Sequence, residues 1–244
     1  MHLGMHSKTV KGLRRVAALW SASSELDRII ATHTGHVVNK WKHYFEIYDR
    51  HLSRFRDHDI TLVEIGVAGG GSLEIWRKYL GPKARIVGID INPGCKRFES
   101  PGTEVFIGSQ GDPVFLERVA AETGPFDIVI DDGSHTYEHQ LVTFRALFPH
   151  IKEDGVYACE DLCTSYWKDE YDGGVRKPGT FVEFLKELID ETNAWFWRKD
   201  EEIEKNAFAR SMHGLHFYPA LAVIEKRPMQ MPLITPVGRT RRAA

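Results

Sequence analysis

The chain has 244 residues, a formal net charge of −2, 42% hydrophobic and 27% charged residues, which suits one large globular domain with small appendages. A balance this close to neutral excludes a general pull toward nucleic acid or a membrane surface, and no apolar stretch approaches the ~18 residues of a membrane span. Three cysteines give no disulfide framework, and the start MHLGMHSKTVKGLRR lacks the apolar core of a secretory signal, so the expected location is the cytoplasm.

Residues 1–58 carry ten Lys and Arg against five Asp and Glu, and hold seven of the twelve histidines. A polar start leads into a short helix before residue 32. Trp41, Tyr44, Phe45, Tyr48, Leu52 and Phe55 then recur at helical spacing; this aromatic stripe reads as packing, with only its leading edge, Lys40 to Tyr44, reaching toward a ligand. Residues 1–58 are therefore expected to form a helical extension or lid, ahead of a main domain over 59–230 and a flexible tail over 231–244.

From residue 60 short apolar runs alternate with helices. The runs are TLVEI (61–65), RIVGID (85–90), EVFI (104–107), FDIVID (126–131) and VYACE (156–160). A helix after Ser72 stops at Gly81-Pro82, another opens on the cap Asp112 with Pro113 behind it, and a third spans Tyr137 to Pro149. Thr180 and Glu183 have capping-box spacing ahead of a further helix, and LHFYPALAVIEK (215–226) reads as one closing strand at the sheet edge. Strands alternating with helices predict an α/β fold with a mostly parallel sheet covered on both faces.

The first strand runs into Glu64-Ile-Gly66-Val-Ala68-Gly69-Gly70-Gly71-Ser72 and a helix. Glycines there let the chain turn sharply and a ligand come close, but the acid precedes them on the strand, unlike the GxGxxG of dinucleotide enzymes. That order resembles the first motif of class I methyltransferases, so Glu64, Gly66, Gly70 and Ser72 are expected around the methionine part of S-adenosylmethionine. Asp90 ends the second strand, where an acid accepts hydrogen bonds from ribose hydroxyls; Ser109 and Gln110 end the third, suited to an adenine edge.

The fourth strand ends in Asp131-Asp132-Gly133-Ser134-His135 and the fifth in Cys159-Glu160-Asp161. In a parallel sheet these ends share the carboxyl edge, and four carboxylates crowded beside a sulfonium are costly without a cation among them. All-oxygen donors point to a hard ion, magnesium first, with manganese or calcium as alternatives. His135 stands three residues past Asp132 and suits a general base, an imidazole being poised near neutrality; His139, one turn on, is the competing candidate.

EIGVAGGGS, Asp90, IDDGSH and the acid pair of CEDL together resemble the metal-dependent sugar O-methyltransferases of macrolide biosynthesis. The NKWKHYFEIY segment and chain length also resemble methyltransferases of methylmannose polysaccharide synthesis. The likeness covers about residues 36–226. It implies a Rossmann-like class I methyltransferase fold with a seven-stranded sheet, Asp132, Glu160 and Asp161 as Mg2+ ligands, His135 as the base, Asp131 beside the cofactor, a sugar-containing acceptor and a homodimer. The macrolide enzymes carry a large N-terminal region without a counterpart here, so their acceptor and assembly do not carry over.

Tyr166, Trp167, Trp195 and Trp197 are candidates to stack on sugar rings or to build core. Two rival readings are a catechol-type methyltransferase and a non-catalytic cofactor-binding protein. A hydroxylase would need a two-histidine, one-carboxylate iron triad, and the sequence pattern shows none.

Overall fold

The computed structural model describes residues 22–196 and 205–238; Trp197 lies outside them, as do the basic first 21 residues and the last six. Helix α1 (Glu25–Thr32) and helix α2 (Tyr44–Leu52) precede strand β1 (Thr61–Ile65). There follow α3 (Gly71–Leu80), β2 (Arg85–Asp90), β3 (Thr103–Ile107), α4 (Pro113–Thr123), β4 (Phe126–Asp131) and α5 (Tyr137–Leu147). The chain continues through β5 (Ile151–Cys159), the short α6 (Lys168–Tyr171), α7 (Phe181–Thr192), β6 (Met212–Tyr218) and β7 (Leu221–Lys226).

The seven strands make one sheet in the order β3-β2-β1-β4-β5-β7-β6. Pairing is parallel from β3 through β5, and β7 runs antiparallel to both β5 and β6. This is the Rossmann-like arrangement expected. Its strands alternate as a sheet buried on both faces must: Leu62, Ile86, Ile128, Val156 and Val223 enter the core shared with α1, α2 and α3, while Val63, Val87, Val129, Tyr157 and Ile224 enter the core shared with α4, α5 and α7.

Two local expectations need correction. The run 215–226 is a hairpin, because Pro219 and Ala220, the latter at φ 58°, turn the chain between β6 and β7. That turn is a meeting point: the Ala220 carbonyl accepts from Leu162 N (2.9 Å) and the Tyr44 hydroxyl (2.9 Å), and the Pro219 carbonyl lies 2.9 Å from His43 Nε2. At α7 the capping box does not form, since the Thr180 hydroxyl donates to the Lys177 carbonyl instead. Asp112 caps α4 as the sequence indicates, accepting from Val114 N and Phe115 N.

Candidate active site

Strand order reverses between β1 and β4, and in open α/β sheets the crevice at such a point, outside the carboxyl ends of the strands, is where ligands bind. A cleft of about 380 Å³ opens there. Gly66, Asp90, Ser109, Gln110, Asp132 and His135 are among its lining residues. Gly66 has φ 95°, and a Cβ on it would overlap the Asp132 carbonyl oxygen, so the β1 loop reaches the β4 loop only because this residue lacks a side chain. Gly70, at φ 77°, opens α3 against the Phe98 ring.

On the β1–β3 side, polar groups organise backbone. Asp90 Oδ2 accepts from Val67 N (3.0 Å) and Ala68 N (2.9 Å), and its Oδ1 from Asn92 N (2.8 Å), so this carboxylate ties the glycine loop to the end of β2. Ser109 Oγ accepts from Gly111 N. Gln110 is buried; its amide donates to Asp131 Oδ1 (3.0 Å) and Thr143, and its Oε1 accepts from Ser134 N (2.6 Å), bracing the loop after β4.

Glu64 and Asp131 are not among the lining residues. Glu64 is fully buried behind the loop, accepting from Ser72 Oγ (2.6 Å) and the Trp76 indole (3.1 Å). Asp131 is buried as well, accepting from Gln110 and the Tyr157 hydroxyl (3.1 Å); burial pushes its carboxyl up to about 6 despite both donors. Both carboxylates act as internal braces, where the sequence pattern placed them against a ligand.

On the β4–β5 side the acids do converge. One ligand atom each from Asp132, His135 and Asp161 lie within 4.8 Å of one another. His135 Nε2 stands 3.9 Å from Asp132 Oδ1 and 3.7 Å from Asp161 Oδ2. His135 and Asp161 both adopt left-handed backbone, φ 58° and 52°, a conformation costing a non-glycine residue about 1–2 kcal/mol. The Thr164 hydroxyl, 2.8 Å from the His135 carbonyl, links the two loops. His139 lies toward the other end of the cleft, its Nδ1 2.9 Å from Ser134 Oγ and its ring against Gly111.

Glu160 takes a different partner from its neighbour. Its Oε1 meets Lys40 Nζ at 2.5 Å and the Tyr48 hydroxyl at 2.6 Å. The same ammonium reaches Asp132 Oδ2 (2.6 Å) and Glu64 Oε1 (3.3 Å). Burial works against the charge on Lys40, but Glu160, Asp132 and Glu64 outweigh it and hold the ammonium well above its ordinary pKa. Burial likewise pushes Glu160 upward, against the pull of Lys40. Trp41 Nε1 and the Tyr44 hydroxyl reach Asp161 Oδ1 at 2.9 and 3.0 Å. The segment expected to touch a ligand at Lys40–Tyr44 thus grips the acids. Tyr48, read as packing, was missed; its only signal was a polar tip one turn past Tyr44.

One lysine does not neutralise this rim. Asp132 and Asp161 retain oxygens directed to a common point beside His135, an oxygen-rich donor set that fits a hard divalent cation, with Glu160 held just behind by Lys40. Of the aromatic candidates, Tyr166 and Trp167 are about half exposed just past Asp161, with Trp167 edge-on to Tyr171. Trp195 donates to the Ala209 carbonyl and packs under Arg210, a structural role. The structure also assembles a two-histidine, one-carboxylate group that the sequence pattern hid: His51, His216 and Glu225, from α2, β6 and β7.

Residues 63–162 match a family model described as a methyltransferase domain. The chain is 38% identical over 221 residues to an 8-demethyl-8-(2-methoxy-alpha-L-rhamnosyl)-tetracenomycin-C 3'-O-methyltransferase of Streptomyces olivaceus, covering 86% of this chain and 56% of that one. It is 37% identical to the demethylmacrocin O-methyltransferase of Streptomyces fradiae, covering 86% and 55%. A solved structure of a methyltransferase from the mycinamycin biosynthetic pathway, in complex with Mg and SAH, superposes with a TM-score of 0.73 at 35% identity, covering 84% of this chain and 54% of that chain. The chain spans about half the length of the relatives it matches.

Proposed function

We propose, from the premise that this chain belongs to the methyltransferase family its central residues match, that it transfers a methyl group from S-adenosylmethionine to a hydroxyl of a sugar-bearing acceptor, with Mg2+ as the working cation. The observation that carries this reading is the Asp132–His135–Asp161 group at the mouth of the cleft, where a nucleoside cofactor on the β1–β3 side meets an acceptor from outside. The relatives' names suggest the acceptor class: one is named for a rhamnosyl tetracenomycin and another for demethylmacrocin.

Asp132 and Asp161 would hold the cation, with Glu160 as a further ligand if its carboxylate turns from Lys40. A divalent cation held there would supply Lewis acidity toward a bound sugar hydroxyl. His135 Nε2 accepts the hydroxyl proton, and the resulting imidazolium lies between the carboxylates of Asp132 and Asp161, which stabilise its charge. The loops that Gln110 and Thr164 brace would hold that oxygen in line with the methyl carbon of bound S-adenosylmethionine, so that the O–C bond would form as the C–S bond breaks and S-adenosylhomocysteine leaves. Asp90 is the side chain suited to the ribose, and Gly66, Gly70 and Ser72 to the cofactor's amino-acid end. The latching of Trp41 and Tyr44 to Asp161 supports a lid role for the extension over residues 1–58.

No helix among the described residues is long and apolar enough to cross a membrane, and three unpaired cysteines accord with a reducing compartment, which supports a cytoplasmic enzyme. The assembly we propose is a homodimer, suggested by the wider methyltransferase resemblance and not by the macrolide enzymes, and light scattering tests it.

The deciding experiment offers rhamnosyl, mannosyl and macrolide glycosides with labelled S-adenosylmethionine, with and without EDTA, alongside His135→Ala. We expect glycoside methylation that EDTA abolishes and that the substitution slows about 10²–10⁴-fold. Catechols methylated in preference to every glycoside would replace the acceptor class, and full activity under EDTA would remove the cation.

A further inference from the structure

His51, His216 and Glu225 come from three elements and lie outside the cleft lining. His51 occupies the last turn of α2, His216 the middle of β6, and Glu225 the end of β7. Gly214, His216 and Tyr218 alternate along β6 and so share a face, the one against which α2 packs. The His51 and His216 rings lie 4.7 Å apart between centroids. Glu225 serves both, with Oε1 3.1 Å from His51 Nδ1 and Oε2 3.9 Å from His216 Nε2.

Three features of this group are hard to explain as ordinary packing. His216 Nε2 is buried yet has no hydrogen-bond partner, a cost a native structure rarely leaves standing. Gly214 Cα faces that nitrogen, and a Cβ there would stand 3.2 Å from it, so the ring's position depends on the small neighbour. Tyr218 OH lies 2.9 Å from His51 Nε2, which fixes the ring with Nδ1 toward Glu225.

We propose that His51 Nδ1, His216 Nε2 and the Glu225 carboxylate form a second metal site, for a borderline transition-metal dication of the zinc class, which clips α2 onto the β6–β7 hairpin. Imidazole and carboxylate are the donors such an ion prefers, whereas the oxygen-rich rim at Asp132 suits a hard one. Bonds of ~2.0–2.2 Å in tetrahedral geometry put donors roughly 3.3–3.6 Å apart; here each imidazole faces its own oxygen of Glu225, at 3.1 and 3.9 Å, and one ligand atom from each of the three residues lies within 4.8 Å of the others. Once Nδ1 is a ligand, Nε2–H donates to Tyr218, the outer-shell contact that orients a ligating histidine. Arg54 Nη1, 3.8 Å from Glu225 Oε1, is the group that must yield part of the carboxylate.

The clip bears on the catalytic rim through α2, which carries Tyr44 and Tyr48, and through the β6–β7 turn that receives Leu162 N, but binding there is independent of methyl transfer. The test is calorimetric titration of the full chain with Zn2+ in excess Mg2+, repeated with Co2+ to read the visible absorption of four-coordinate cobalt. Parent, Asp132→Asn, His216→Ala and Glu225→Gln proteins are compared. We expect one Zn2+ per chain, a raised Tm and a cobalt spectrum in the parent and in Asp132→Asn. His216→Ala and Glu225→Gln should bind at least tenfold more weakly. His216 is half exposed, so its loss leaves the fold intact, which circular dichroism verifies. Zinc retained by both of those variants, zinc lost in Asp132→Asn instead, or no zinc in the parent would each overturn the site.

Discussion

The two halves of the carboxyl edge solve different problems. Along β1–β3 the chain uses glycine, backbone amides and one strand-end acid, Asp90, so the cleft there is shaped by steric room. Along β4–β5 it gathers Asp132, Glu160 and Asp161 and steadies them with Lys40, Tyr44 and Tyr48 from a segment about a hundred residues earlier. One half depends on the absence of atoms, the other on the balance of charge. Substitutions in each should therefore fail in distinguishable ways.

The largest effect is expected at Lys40. Lys40→Met leaves buried carboxylates without their cation, and losing one partner of such a cluster costs about 3–5 kcal/mol. Urea unfolding measures it. Because burial pushes the Glu160 carboxyl up to about 8 even against the pull of Lys40, protonation relieves the variant, and its deficit should be larger at pH 9 than at pH 7. A deficit that does not change with pH would mean that Lys40 contributes packing alone.

Gly66→Ala should cost about 2–4 kcal/mol, from the left-handed backbone and the overlap with the Asp132 carbonyl. This loss should be equal at pH 7 and pH 5, and cofactor affinity should fall with it. A pH-dependent loss would mean that the steric and electrostatic halves are coupled through the Gly66–Asp132 contact.

The smallest effect is expected at Asp131, whose folded carboxyl sits at about 6, above its ordinary 3.8. The folded state thus holds this proton more tightly than the unfolded chain does. The burial cost is fully present above pH 6 and disappears as pH falls below about 4. Relative to Asp131→Asn, the wild-type chain should gain up to about 3 kcal/mol of stability on acidification from pH 7 to pH 4. Parallel pH–stability curves for the two proteins would show that Gln110 and Tyr157 already offset the burial.

The same division explains what could be read from the sequence. β1, β2 and β4 fall on their apolar runs, Asp112 caps its helix, and the acids stand at the strand ends, because each of these features is encoded within a few residues. Which way a strand-end carboxylate turns is not local. Glu160 faces Lys40 and Asp161 faces Trp41 because of a segment that the 3.6-residue pattern marked as packing. Glu64 looks like a ligand contact until Trp76 and Ser72, two turns along, are seen to occupy it. The group His51, His216 and Glu225 joins positions far apart in the chain, and no spacing rule announces it.

The turn at Pro219–Ala220 constrains how the entrance can move. The Ala220 carbonyl receives both a tyrosine hydroxyl from the cover and the Leu162 amide from the segment following Asp161, so hinge motion of the cover in isolation would break the bond from Tyr44 while the Leu162 bond held the turn back. The low-cost displacement is a joint one, in which hairpin tip, cover and post-strand loop shift as a single body. Amide hydrogen exchange at Leu162 would then keep pace with access to the entrance, even though Leu162 itself touches neither reactant.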